Sequence, residues 1–282
     1  MRSLPKLLIS LFLMLLVVGC STARFAYDNA DTFIRWRMLQ FLDVHDAQAD
    51  ELDERIDAFL RWHRKTELPK YARDADDAAK RISRGLARED LVWAYDASVA
   101  HAREAARMAA EQTAPLLDRL TPEQVRHMET RFGEENRKFA RENLRGSERD
   151  RRERRAQRII ERLEDWLGNL SKAQIVRVRW YSERAPLIDE MRDRDNKRLQ
   201  GEVLAIIRAR DSRKRLAERV SNWERGRDPA YAAARKQVRD EFDALLVDID
   251  RSATREQRER ALAQLRQYAD DFRSLAAKAP GR

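Results

Sequence analysis

The chain has 282 residues, 38% of them charged, with 58 Lys and Arg against 49 Asp and Glu for a formal charge of +9. Cys20 is the only cysteine, which excludes a disulfide framework and a cysteine-ligated zinc site. Gly and Pro are few, Ala, Leu, Arg and Glu dominate, and no strand pair stands out, so the predicted fold is all-α, an elongated bundle of long amphipathic helices.

The first segment is a targeting signal. Arg2 and Lys6 precede a run from Leu7 to Val18 that is apolar except for Ser10. A dozen apolar residues are too few to cross a bilayer as a stable helix, which needs about twenty, so the run reads as a secretory signal peptide over residues 1–19. Leu16-Val17-Val18-Gly19-Cys20 resembles the lipobox of bacterial lipoproteins. That resemblance implies cleavage before Cys20, acylation of its thiol and a lipidated tether over residues 20–26. Two or more acyl chains hold a protein on a membrane where one holds it only marginally. Ser21 follows the cysteine, and by the sorting rule of that family the outer membrane, facing the periplasm, is the expected address. The membrane, through lipid on Cys20, is thus the first expected partner.

Residues 27–278 are then expected to form one helical domain, with residues 279–282 as a frayed tail. The first helix, through residues 25–42, places Phe33, Trp36 or Arg37, and Phe41 on a stripe expected to pack in the core, with the membrane interface as the alternative. Asp43 is predicted as the N-cap of a second helix carrying Leu52, Ile56, Phe59, Leu60 and His63 on one face. Seven carboxylates against Arg55 alone between positions 43 and 57 make the opposite face acidic. This helix should end before Pro69. Tyr27-Asp28-Asn29-Ala30-Asp31, Arg35-Trp36, Trp62-His63-Arg64, Glu67-Leu68-Pro69 and Tyr71-Ala72 resemble the pattern of a family of uncharacterised proteobacterial lipoproteins. The resemblance implies the lipoprotein address and transfers no catalytic residue.

A third helix to about Ser83 and a fourth from Arg88 to Gln112 should follow, with Pro115 marking the next bend. Leu120-Thr121-Pro122-Glu123-Gln124 is echoed by Leu170-Ser171-Lys172-Ala173-Gln174 and, more loosely, by Thr254-Arg255-Glu256-Gln257. Each reads as a capping box, in which the hydroxyl accepts the amide of the residue three along and the Gln side chain reaches back. The boxes also resemble the LTxxQ motif of small periplasmic chaperones, helical proteins that shield unfolded clients, although capping alone writes such a motif at any helix start.

Two basic stretches interrupt the apolar stripes. Residues 145–158 hold seven arginines against three carboxylates, and residues 208–227 hold eight basic residues against three acidic ones. Arg149, Arg151, Arg152, Arg154 and Arg155, with Arg208, Arg210, Arg213, Lys214 and Arg215, are the candidate contacts for an anionic partner. Lipid headgroups, lipopolysaccharide, cell wall or acidic polypeptides suit an exported protein; nucleic acid does not, and no aromatic stacking platform accompanies the arginines. The competing reading is that these arginines solvate helices and pair with the acidic stretch at 43–57. Pro186 should split the segment from Ser171 to Gly226, and two last helices, near 229–250 and 254–277, should form a hairpin.

No GxSxG, HExxH, Walker loop or dinucleotide fingerprint is present, and His45, His63, His101 and His127 fall on different predicted helices. No catalytic residue, cofactor or metal is therefore expected. The expected function is non-enzymatic: a lipid-anchored envelope protein that binds other polypeptides, chaperone-like. The alternative is a scaffold that contacts anionic envelope polymers through the basic stretches. An unrecognised enzyme stands third.

Overall fold

The computed structural model describes Arg24 and residues 27–278, so the expected signal peptide, Cys20, the rest of the expected tether apart from Arg24, and residues 279–282 lie outside the described residues. Helices and short connections account for everything described, as the composition predicts. In chain order they are α1 (Ala30–Leu42), α2 (Ala47–Thr66), α3 (Leu68–Ser83), α4 (Arg88–Leu117), α5 (Pro122–Asn143) and α6 (Glu148–Leu167). α7 (Lys172–Arg184), α8 (Asp189–Arg208), α9 (Ser212–Ser221), α10 (Pro229–Arg251) and α11 (Arg255–Ala277) follow. No described helix is long and apolar enough to cross a membrane.

Local signals set most of the boundaries. Thr121, Ser171 and Thr254 each accept the backbone N–H of the Gln three residues on at 3.2 Å. Each Gln Oε1 in turn accepts the N–H of its cap residue, at 2.9, 2.9 and 3.1 Å. Ser147 and Asp150 build a fourth box at the start of α6. Pro186 separates α7 from α8, and α2 ends at Thr66, ahead of Pro69. Only Glu67 separates α2 from α3, because a proline at the second helical position lacks an N–H that the first turn would leave unpaired anyway.

Three boundaries depart from expectation. Asp43 is not the N-cap of α2; it sits at φ 52°, ψ 46° as the left-handed C-cap of α1, donating its N–H to the Leu39 carbonyl. A short acidic side chain tolerates that conformation better than a bulky one. α4 continues past Pro115 to Leu117 rather than ending before it, since the proline costs one hydrogen bond in the last turn. Arg210, at φ 55°, ends α8 and turns the chain into α9, a break with no proline to announce it.

The buried apolar residues fall into two clusters. The first joins Leu42 and Val44 with Leu52 and Ile56 of α2, Leu116 and Leu117 of α4, Val125 and Met128 of α5, and the ends of α8 and α9 at Leu204, Ile207 and Leu216. The second joins Ala156, Ile160 and Leu163 of α6, Val178 and Tyr181 of α7, and Leu245 and Ile249 of α10. α3 lies along α11, and α4 along α9. Buried alanines on α3 and α11 (Ala72, Ala75, Ala261, Ala269) let that pair approach closely.

Each cluster is closed by two helix turns whose glutamines meet. Over the second cluster, Gln174 Nε2 donates to Gln257 Oε1 at 3.0 Å and Gln257 Nε2 donates back to Gln174 Oε1 at 3.2 Å. Gln257 also donates to the Asn169 carbonyl at 2.8 Å, and Gln174 to the Ser252 carbonyl at 3.4 Å. Over the first cluster, Gln124 Nε2 donates to Gln48 Oε1 at 2.8 Å and to the Asp43 carbonyl at 2.9 Å. Asp43 precedes Gln48 by the interval at which Asn169 precedes Gln174, so one pairing geometry recurs. A glutamate would cap these helices equally well, but it has no N–H to donate across the turn. Capping alone therefore does not explain the choice of glutamine.

The aromatic stripe of α1 is divided. Phe41 packs edge-on against Phe132 with ring centres 5.1 Å apart, and Arg37 lies over Phe41 and pairs with Glu135 at 2.8 Å. Phe33 and Trp36, by contrast, face outward. For these two residues core packing is overturned.

Candidate functional site

Over the second cluster lies a cleft of about 330 Å³. Its walls come from five helices: Ile82 of α3, Leu91 and Trp93 of α4, Leu163 and Trp166 of α6, Leu246 and Ile249 of α10, and Ala261 of α11. The size and the almost wholly apolar lining are those of a site for a small apolar ligand or a side-chain anchor. Nothing in the sequence announces it, because the lining is scattered over five helices, each adding two to four side chains that are mostly what any core stripe would contain.

Two charged clamps hold the walls. Asp90 is buried and accepts Arg81 and Arg84 at 2.6 Å each and the Ala87 N–H at 3.0 Å. Burial by itself pushes this carboxyl up, but the Ala87 N–H and the two guanidiniums outweigh it and hold it below the usual carboxylate range. Arg81 also lies over the Trp93 ring at 4.2 Å, fixing that wall. On the opposite side Arg258 donates to Asp250 at 2.7 Å and to the Ile82 carbonyl at 2.7 Å, while Asp250 accepts the Leu86 N–H at 2.9 Å. α3, α10 and α11 are thereby tied together at the mouth. These carboxylates are consumed by the protein itself, so the cleft offers apolar contact rather than acid or base chemistry. Arg162 is exposed at the edge, with no ion pair among the described residues.

A second polar centre sits where α2 breaks into α3. Tyr27 Oη lies 3.0 Å from His63 Nδ1, and His63 Nε2 lies 3.2 Å from Tyr71 Oη. His101 from α4 reaches Glu67 at 3.0 Å and Asp74 at 2.6 Å, one carboxylate on each ring nitrogen. Lys70 adds 2.6 Å to the fully buried Glu67. Burial, reinforced by His101, lowers the His63 imidazole against the pull of Glu67. Burial, with the charge of Glu67, pushes the Tyr71 hydroxyl up to about 12. Two of the four histidines thus share a neighbourhood around Tyr71, which their spacing in sequence conceals. The other two do not join them: His127 contacts the Gln40 carbonyl and His45 lies beside Asp43. Among the described residues no group of three or more His, Cys, Asp or Glu is arranged to hold a metal. With each ring nitrogen and carboxylate engaged locally, this centre reads as a joint between α2, α3 and α4.

The basic stretches behave differently from one another. Arg152 and Arg155 turn inward to cap the C-terminus of α7: Arg152 donates to the Ser182, Glu183 and Ala185 carbonyls at 2.7 to 3.0 Å, and Arg155 donates to the Ser182, Ala185 and Pro186 carbonyls. Cations there satisfy carbonyls left open by the helix end. Arg151 pairs with Glu190 at 3.0 Å and Arg154 donates to the Arg145 carbonyl, so of the five candidates in this stretch Arg149 is the exposed one. Both guanidiniums of Arg152 and Arg155 are thus engaged within the protein. In the second stretch Arg208, Arg210, Arg213, Lys214 and Arg215 are all exposed. Arg208 pairs with Glu129 at 2.6 Å and Arg215 with Asp211 at 3.8 Å. The acidic stretch at 43–57 finds its cations elsewhere, Arg35 on Asp53 and Arg55 and Arg119 on Glu51. The expected pairing of that stretch with the two basic ones does not occur in the described ion pairs.

No curated protein and no solved structure gives a significant match to this chain. A protein family does match, over residues 40–232, a span that takes in the first cluster, both histidines of the joint though not Tyr27, and the Gln174 turn but ends before Gln257. The chain belongs to that family, the family of unknown function DUF6279.

Proposed function

We propose that this protein is a non-enzymatic lipoprotein of the cell envelope, held by lipid on Cys20 at the periplasmic face of the outer membrane, that binds apolar segments of other polypeptides in a chaperone-like way. The observation that carries the reading is the cleft of about 330 Å³, an apolar hollow in a chain that is 38% charged. Apolar surface left open at such a place marks a binding site more often than a packing fault. The surrounding charges suit the same task, since a highly charged surface keeps a binder soluble while its client is held. The paired glutamine turns next to the cleft support the likeness to LTxxQ chaperones.

The test uses the full chain and several unfolded clients. Aggregation should be suppressed at stoichiometric ratio, and less so as salt rises. Trp93→Ala, which removes one wall, should abolish the suppression while melting within a few degrees of the parent. Failure to protect any client would reject the reading. The address is tested separately: Cys20→Ser should free the protein from membranes, and a variant that stays membrane-bound would refute the anchor.

One observation favours a second reading, the scaffold on anionic envelope polymers. Arg210 and Lys214 are exposed and have no ion pair among the described residues. Co-sedimentation with lipopolysaccharide or cell wall should fall when Arg210, Arg213 and Lys214 become glutamine, and unchanged binding would exclude the patch.

A further inference from the structure

Phe33 and Trp36 occupy one exposed face of α1, 63% and 51% accessible, with ring centres 6.1 Å apart. They differ from the other large apolar side chains left in water. Trp180 lies under the guanidiniums of both Arg177 and Arg184, at 4.2 and 4.6 Å, and Val92 and Val176 have no aromatic partner. No cation covers Phe33 or Trp36 among the described residues. We infer that this pair is a second membrane contact, seated in the headgroup region of a phospholipid bilayer beside the lipidated Cys20.

Three observations on the chain support that occupant. Phe and Trp on one face of an amphipathic helix are the side chains that favour the membrane interface. The reach is right: residues 21–26 separate Cys20 from Tyr27, a span of at most about 25 Å when extended, and Trp36 lies about 14 Å further along the helical rise. The charges nearby are largely neutralised within the protein, which lowers the cost of bringing them to the headgroups. Asp28 is paired with Lys278 at 2.6 Å, Arg35 with Asp53 at 2.8 Å and Arg37 with Glu135 at 2.8 Å. Asp31 alone among the charged residues of α1 has no ion pair among the described residues. Two anchors, the lipid and the aromatic pair, would fix the orientation of the protein on the membrane rather than leave it to swing on a tether. The inference rests on the lipid anchor proposed above.

The test is quenching of tryptophan emission by vesicles of phosphatidylcholine and phosphatidylglycerol brominated near the head of the acyl chain, with the full-length lipidated protein. The parent should sediment with the vesicles and lose emission relative to unbrominated vesicles. Trp36→Phe should still sediment but lose that quenching, and Phe33→Ser should reduce it. Sedimentation of the parent without quenching, or quenching unchanged by Trp36→Phe, would overturn the contact while leaving the anchor intact. A purified parent that carries no acyl mass and stays in the supernatant would overturn the anchor, and with it this inference.

Discussion

The two clusters are each closed by a pair of helix turns, and the pairs are not equally complete. At Gln174 and Gln257 both turns carry a hydroxyl cap, both glutamines reach back to their own helix, and each donates to the other. At Gln124 and Gln48 only one turn does so. His45 stands where the hydroxyl would be, Asp46 provides no side-chain cap at φ 48°, and the bond from Gln124 to Gln48 is described without its return. The difference separates two jobs of the same residue. Capping is done within one helix, whereas the side-chain N–H joins two helical hairpins, and the second job survives at Gln48 where the first is missing.

The largest effect expected from that distinction is at Gln174. Gln174→Glu keeps an oxygen for the cap but turns the buried donor into a charge facing Gln257 Oε1, at 2% exposure. Loss of the donor and burial of an unpaired carboxylate should cost about 3 kcal/mol. Gln124→Glu, at 8% exposure, keeps its cap and loses its bonds to Gln48 and Asp43, and should cost about 1 to 2 kcal/mol. Urea unfolding of both variants measures this. Equal costs, or costs no larger than a simple cap deletion, would reduce the motif to capping. That lower reference is set by Ser171→Ala and Thr121→Ala, each expected to cost about 1 kcal/mol by thermal or urea unfolding, with no preference between the two regions.

What the sequence conveyed follows the same division. Caps and prolines act within a few residues, so Thr121, Ser171, Thr254, Pro69 and Pro186 announce their helix starts and breaks to any reader of the chain. Pairing of Gln174 with Gln257 spans 83 positions and that of Gln124 with Gln48 spans 76, and nothing local specifies either. The inward turn of Arg152 and Arg155, the meeting of His63 and His101 around Tyr71, and the cleft between five helices are hidden for the same reason. On α1 the periodicity is ambiguous in a physical sense: Phe33, Trp36 and Phe41 all fit a stripe, yet Phe41 meets Phe132 while the other two stay exposed beside each other. A stripe states which side chains share a face, and only the neighbouring helix decides whether that face is covered.

The smallest effect concerns pH and distinguishes the two regions by timing. His63 belongs to the joint beside the first cluster; the second cluster has no histidine in it. Because burial lowers the His63 imidazole below its ordinary value of about 6.5, the unfolded chain binds a proton more readily than the folded one. The stabilising contribution is therefore full above about pH 6.5 and is lost as pH falls toward the lowered folded value, at a slope of no more than about 1.4 kcal/mol per pH unit. Carboxylates such as Asp90, also held low, contribute in the same direction but only at more acid pH. Between pH 7 and 5, amide protection factors, which correct for the intrinsic pH dependence of exchange, should fall first in α2, α3 and the middle of α4, before α6 and α7. His63→Gln, which keeps one donor and one acceptor for Tyr27 and Tyr71, should remove that regional difference. Uniform loosening of both regions in the parent, or a pH slope that persists in His63→Gln, would mean that the joint does not sense protons and that the two regions respond to acid as one body.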